Sequence, residues 1–181
     1  MTLIISNLLM LQFVANGQCA PAPTVMSAVN YCQDETASPL TATGFSLLWY
    51  TTETGGIGSD TAPTPSTLSA GTTTYYVSAT DPCEGPRSRI DVIVNPTPTV
   101  SDPVNQELCM GTSTATVIFS GTINGTTFNW TNDNTDIGLA VSGTGDIPSF
   151  MTSIFSNLNQ VANIAVTPVA NGCAGLAKTM I

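Results

Sequence analysis

The sequence has no histidine and very little charge. Only 8% of its 181 residues are charged, and its three cations are Arg87, Arg89 and Lys178. Globular domains typically have about a quarter of their residues charged. Three scattered cations cannot form a basic patch, which excludes a surface that binds nucleic acid through its phosphates.

The lack of histidine also bears on catalysis. A serine or cysteine nucleophile would have no imidazole to act as its base. Twelve acidic residues leave room by count for a carboxylate pair of the glycosidase kind. They are scattered over predicted turns, however, so we predict no enzyme, no catalytic residue and no cofactor.

The residues that are abundant favour an all-β fold. Hydrophobic residues make up 42% of the chain, and β-branched residues are frequent among them, as strands require. No 3.6-residue period persists, and short alternating runs are separated by turn residues. The predicted strands are 23–31, 38–43, 46–51, 72–79, 87–94, 114–121, 126–131, 161–169 and 176–181. Asn124-Gly125 gives the strongest hairpin signal.

The N-terminus has the pattern of a secretory signal peptide. An apolar run from Leu3 to Val14 precedes the small residues Ala15 and Gly17, although Met1-Thr2 carries no cation. The run is too short for a transmembrane span. We predict a signal peptide at 1–17 and an extracellular location, with an apolar first strand as the alternative.

A proline-containing segment, Asn95–Val100, divides the rest of the chain. Pro96 and Pro98 cannot lie inside a central strand. Pro23-Thr24-Val25 recurs 75 residues later as Pro98-Thr99-Val100, which indicates an internal repeat. We therefore predict two tandem β-sandwich domains, 20–95 and 96–181, joined by a short stiff linker.

The five cysteines indicate that the protein folds in an oxidising compartment. Without His or a C-x-x-C pair, a zinc site is disfavoured, and disulfides imply an extracytoplasmic protein. Of the three pairings open to four cysteines, we predict Cys32–Cys83 and Cys109–Cys173, one bridge for each domain. Their loops of about 50 and 65 residues would each contribute on the order of 4 kcal/mol. Cys19 is then free, paired between chains, or next to the cleavage site.

Several short motifs resemble known repeat modules. Those before residue 80 resemble the immunoglobulin-like repeats of large secreted Bacteroidetes surface proteins, and those after residue 127 resemble the PKD-like module that often follows them. The motifs are Tyr31-Cys32-Gln33, Ser38-Pro39-Leu40-Thr41-Ala42, Leu48-Trp49-Tyr50-Thr51-Thr52, Thr54-Gly55-Gly56, Ala62-Pro63-Thr64-Pro65-Ser66, Gly71-Thr72-Thr73-Thr74-Tyr75-Tyr76-Val77-Ser78, Phe128-Asn129-Trp130-Thr131-Asn132, Ile137-Gly138-Leu139 and Asp146-Ile147-Pro148-Ser149-Phe150.

The resemblance implies a non-enzymatic spacer or adhesive region of a surface adhesin or filament. Its partners would be other modules of the same chain, surface glycans, or neighbouring chains that add a strand. The alternatives are a carbohydrate-binding accessory region of a secreted hydrolase and a subunit that assembles by strand addition. Lys178–Ile181 is shorter than the family's closing strand, so we expect a truncated last strand, an edge open to strand addition and a longer parent protein.

Three candidate sites remain. Asp133 and Asp136 offer oxygen ligands for calcium, with an Asx turn as the favoured alternative. Thr61 lies in Asp60-Thr61-Ala62, which fits the O-glycosylation pattern of the same bacterial group. The aromatic residues Trp49, Tyr50, Tyr75, Tyr76 and Trp130 could form a sugar-stacking platform, but core packing is the favoured interpretation.

Overall fold

The structure, a computed structural model, describes residues 18–153 and 159–181. The predicted signal peptide at 1–17 lies outside the described residues. Within the described part of the chain, no helix is long and apolar enough to cross a membrane.

The chain is all-β, as predicted, with immunoglobulin-like sandwich architecture. Among the described residues the single helical element is a 3₁₀ turn at Thr135–Ile137. In chain order the strands are β1 (Thr24–Val25), β2 (Ala28–Cys32), β3 (Ala42–Thr43), β4 (Leu48–Tyr50), β5 (Gly71–Ser78), β6 (Ser88–Asn95), β7 (Thr127–Asn132), β8 (Ser142–Thr144), β9 (Ile164–Ala170), β10 (Cys173–Ala174) and β11 (Lys178–Met180).

The strands form three sheets. β1 pairs with β3, a second sheet has the order β2-β6-β5-β4, and a third has the order β10-β9-β7-β8, with β11 also paired to β9. The chain divides into two compact units. The first unit holds the described residues up to Ser27 with Pro39–Thr64 and Thr74–Asp91. The second holds Ala28–Ser38, Pro65–Thr73 and Val92–Ile181. The predicted domain boundary at residue 95 stays a prediction.

The core of the second unit follows the alternation of its strands. On β7, Phe128, Trp130 and Asn132 are buried and the residues between them are exposed. Val166 of β9 and Ile147 are almost completely buried in the same cluster. Gly143 of β8 is paired with Trp130, and the Trp130 ring occupies the space that a Cβ at 143 would need.

The predicted strand 114–121 is wrong as a continuous strand. Its alternation is real, because Val117 and Phe119 are buried while Ile118 is 75% exposed. Its backbone has no continuous partner, however, and Val117 forms only an isolated bridge with Ile147. The Phe119 amide instead donates to the Asp146 carboxylate at 2.8 Å.

The two Asn-Gly turns differ. Asn124-Gly125 makes a turn before β7 without a paired strand preceding it. Asn171 and Gly172 both adopt positive φ, 51° and 80°, and join β9 to β10 with Ala170 opposite Cys173. This is the geometry that a two-residue type I′ hairpin requires. The hairpin therefore forms at the second Asn-Gly, although we gave the first the stronger signal.

The predicted linker packs into the second unit. Residues 96–100 form no strand, as their prolines require, and Pro98 and Val100 are buried. A Cβ at Gly175 would collide with the Pro98 carbonyl, and one at Gly121 with the Thr99 carbonyl. Glycine at these two positions lets the segment lie directly against its neighbours.

The predicted disulfide pairing is wrong. Cys19 pairs with Cys83 and Cys32 with Cys173, at Cα–Cα distances of 4.7 and 5.6 Å, and Cys109 is a free, exposed thiol. The Ala20 amide donates to the Cys83 carbonyl at 3.3 Å, which brings Cys19 beside Cys83. Cys32 lies in the segment that clusters with the C-terminal half of the chain. The pairing of Cys32 with Cys173 therefore depends on packing between distant segments, and the spacing of the cysteines in the sequence does not reveal it.

Candidate functional site

A cluster of polar and aromatic residues surrounds Arg87 in the first unit. Its guanidinium lies 3.2 Å from the centre of the Tyr50 ring, a cation–π contact. Nη1 donates to the carbonyls of Thr52 and Gly55 at 2.9 and 2.8 Å, and Nε contacts Glu84 Oε1 at 3.4 Å. One side chain therefore covers an aromatic ring and fixes the turn at 52–55, where Gly55 has a positive φ of 66°.

Glu84 completes this cluster. Hydrogen bonds from Tyr50 and Ser78, followed by the contact with Arg87, hold the pKa of Glu84 below its usual value. The Ser78 hydroxyl donates at 2.9 Å and its residue is fully buried. We did not predict this cluster from the sequence. The available signal was the position of one of only three cations four residues after Cys83.

In the second unit, the side chain of Asn132 likewise binds the backbone of a neighbouring loop. It is 3% exposed, and its amide Nδ2 donates to the carbonyls of Leu139 and Ala140 at 3.1 and 3.3 Å. Its Oδ1 accepts from the Asn134 amide at 3.1 Å. This neutral side chain therefore binds both ends of the loop between β7 and β8.

The calcium candidates lie in the same loop. Both carboxylate oxygens of Asp133 accept hydrogen bonds from Asn163 at 2.7 Å, and these bonds lower the pKa of Asp133. Asn134 Oδ1 accepts from the Asp136 amide at 3.0 Å, which confirms the Asx turn. The described residues contain no cluster of three or more metal-ligating side chains. Calcium binding stays a prediction.

The aromatic residues are core residues for the most part. Trp49, Tyr50 and Trp130 are 5 to 6% exposed, which confirms the interpretation we favoured. Tyr75 and Tyr76 are half-buried on β5. Trp49 and Tyr50 are adjacent on a strand and are nevertheless both buried, because Arg87 covers the ring of Tyr50.

Thr61 is exposed, and its hydroxyl donates to Asp60 Oδ1 at 3.1 Å. Its glycosylation stays a prediction. At the end of the chain, the Ile181 carbonyl accepts from the Gln106 amide and the Ile181 amide donates to Asn105 Oδ1, both at 2.9 Å. Asn105 and Gln106 therefore contact the end of the edge that we expected to be open.

A groove lies on the second unit. It has a volume of about 510 Å³ and is lined by polar side chains at the ends of β7, β8, β9 and β11, among them Thr131, Asp133, Ser142, Asn163 and Thr179, with Val141 and Ala165 beside them. The groove is shallow and largely open to solvent.

Comparison with known proteins supports the immunoglobulin-like assignment of the first part of the chain. Residues 21–96 match a family model described as an Ig-like domain, CHU_C associated. No curated protein matches the sequence significantly.

The solved structures that match this chain include the I-band fragment I67-I69 from titin and an E-to-A mutated variant of these domains, described as a 3Ig structure. Each is 14% identical to this chain, with a TM-score of 0.46. The match covers 90% of this chain and 63% of the titin chain. Repeats EC1-2 of human protocadherin-24 are 13% identical, with a TM-score of 0.32, and the match covers 89% of this chain and 95% of that one. The chain thus spans under two thirds of the titin fragments.

Proposed function

We propose that this chain is a non-enzymatic, extracellular repeat region of a surface adhesin or filament, in which it acts as a spacer that resists extension. The match of residues 21–96 to a CHU_C-associated Ig-like domain supports a surface module. The absence of histidine from the sequence is consistent with a non-catalytic role.

The observation that carries the proposal is the interlacing of the two disulfides. Cys19–Cys83 and Cys32–Cys173 overlap in sequence, because Cys32 lies inside the first loop and Cys173 outside it. Between Cys19 and Cys173 the shortest covalent path runs from 19 to 32 and then across the second bridge. Tension on the two ends therefore acts on 13 residues of chain (32 − 19) instead of 154 (173 − 19).

Single-molecule pulling tests this role. With both bridges intact, unfolding should extend the span from Cys19 to Cys173 to only ~45 Å, from 3.3–3.6 Å per residue. The double variant Cys32→Ser/Cys173→Ser leaves a path across Cys19–Cys83 and then from 83 to 173, which is 90 residues (173 − 83). That span should extend to ~310 Å.

The matched variant Cys109→Ser removes the free thiol and should behave like the parent chain. A parent chain that releases hundreds of ångströms without reduction would contradict an extension-resisting spacer.

A further inference from the structure

The outward face of the third sheet carries several side chains that are polar but uncharged. Exposed and buried residues alternate strictly along β7. Asn129 and Thr131, which lie next to the buried residues Phe128 and Trp130, therefore point away from the core. Cross-strand pairing places Ser142 and Thr144 of β8 and Thr167 of β9 on the same face. We call this the hydroxyl face; it includes Asn129, Thr131, Ser142, Thr144, Thr167 and Thr179.

One row of this face forms the floor of the 510 Å³ groove. Ser142 is opposite Thr131, Thr131 is opposite Ala165, and Ala165 is opposite Thr179. Neighbouring strands are about 4.8 Å apart, so Ser142 lies one strand spacing from Thr131, and Thr179 lies two strand spacings from Thr131. None of these three hydroxyls has a hydrogen-bond partner among residues 18–153 and 159–181, and all three residues are exposed.

The groove also has a fixed acceptor and an apolar surface. Two hydrogen bonds of 2.7 Å from Asn163 orient the Asp133 carboxylate at the edge of the groove. Val141 is 64% exposed on the same edge, and Ala165 lies in the floor. Free hydroxyls, one oriented carboxylate and a small apolar surface match a pyranose ring, which presents hydroxyls at its edge and C–H groups on its faces.

From this arrangement we propose that the groove binds a neutral polysaccharide, an activity beyond the spacer role. The charge of the protein around the groove determines which class of polymer can bind there. The hydroxyl face has no cation, Asp133 lies at its edge, and the chain has a net charge of −9, so an anionic polymer would be repelled. The lining has no aromatic side chain, so binding depends on hydrogen bonds and is weak and repeated along the polymer.

Affinity gel electrophoresis of the whole chain tests the proposal. Gels contain hydroxyethyl cellulose, glucomannan or dextran, with dextran sulfate as the anionic comparison. We expect at least one neutral polymer to retard the parent chain, and the triple variant Thr131→Val/Ser142→Ala/Thr179→Val to raise the dissociation constant at least fivefold. Valine keeps the shape and strand preference of threonine while removing its hydroxyl.

Two further variants keep the test decisive. Thr116→Val removes an exposed hydroxyl outside the groove and should bind like the parent. Val141→Asp adds a charge at the groove edge without changing a strand and should weaken binding even if the triple variant folds poorly. No retardation by any neutral polymer, equal retardation by dextran sulfate, or unchanged binding in both groove variants would overturn the proposal.

Discussion

Arg87 in the first unit and Asn132 in the second each bind the backbone of a neighbouring turn, Arg87 through a guanidinium and Asn132 through a neutral amide. Arg87 keeps 12% of its side chain exposed and has Glu84 beside it. Asn132 has no ionic partner and is 3% exposed. The difference follows from the cost of burying a charge, which needs a counter-charge or water, whereas a buried amide needs only hydrogen bonds.

The largest effect should come from removing the amide. In Asn132→Leu the carbonyls of Leu139 and Ala140 and the amide of Asn134 lose their partner inside the protein. An unsatisfied buried polar group costs about 1–3 kcal/mol, so we expect a loss of roughly 2–4 kcal/mol in the free energy of unfolding, measured by urea titration.

The control is Asn129→Leu on the exposed face of the same strand. It should change the free energy of unfolding by less than about 1 kcal/mol. Equal losses in the two variants would mean that the amide of Asn132 has no special role and that leucine on β7 is itself destabilising.

Removing the guanidinium should have a smaller effect. Arg87→Met keeps much of the apolar stem over Tyr50 but removes the donors to Thr52 and Gly55. Because water can reach part of this site, we expect a loss of about 1–2 kcal/mol. Urea titration of the parent chain and the variant measures this loss.

Arg89→Met provides the matched control, two residues away. Arg89 is 61% exposed and pairs with Asp91 at 3.0 Å. Exposed ion pairs contribute only about 0–1 kcal/mol. If Arg89→Met destabilises the protein as much as Arg87→Met, the contacts of Arg87 with the turn are not what stabilises it.

Some features of both units can be predicted from the sequence. Period-two alternation is visible in the sequence of β6 and of the segment around Val117, and the burial in the structure follows it, because burial depends on local pattern. Asn132 could have been found, since it is a polar residue in phase with Phe128 and Trp130.

Four features could not be predicted from local pattern. Whether 114–121 pairs as a strand depends on a neighbour with a free edge. The partner of Cys32 depends on which distant segment packs beside it. The Arg87 cluster joins residues 35 positions apart. The groove is also non-local, because its row of hydroxyls exists only in the observed register of four strands.

The smallest expected effect concerns the acid sensitivity of the Arg87 cluster. Tyr50, Ser78 and Arg87 lower the folded-state pKa of Glu84 below its ordinary value of 4.5. A carboxyl group with a depressed pKa stabilises the folded state above its unfolded pKa, and that contribution is lost as the pH falls through the folded pKa. The stabilisation from Glu84 should therefore be complete near pH 6 and decline below about pH 4.5.

Glu84→Gln isolates this contribution, because Asp91 and Asp133, whose pKa values are also lowered, titrate equally in both proteins. We expect the melting temperature of the parent chain to exceed that of the variant at pH 6 and the two values to converge towards pH 3. Since the Glu84 side chain is 40% exposed, solvent screening keeps the difference small. A constant difference across this range would mean that the hydrogen bonds of Glu84 do not depend on its charge, and the contrast between an ionic and a neutral turn-binding residue would then disappear.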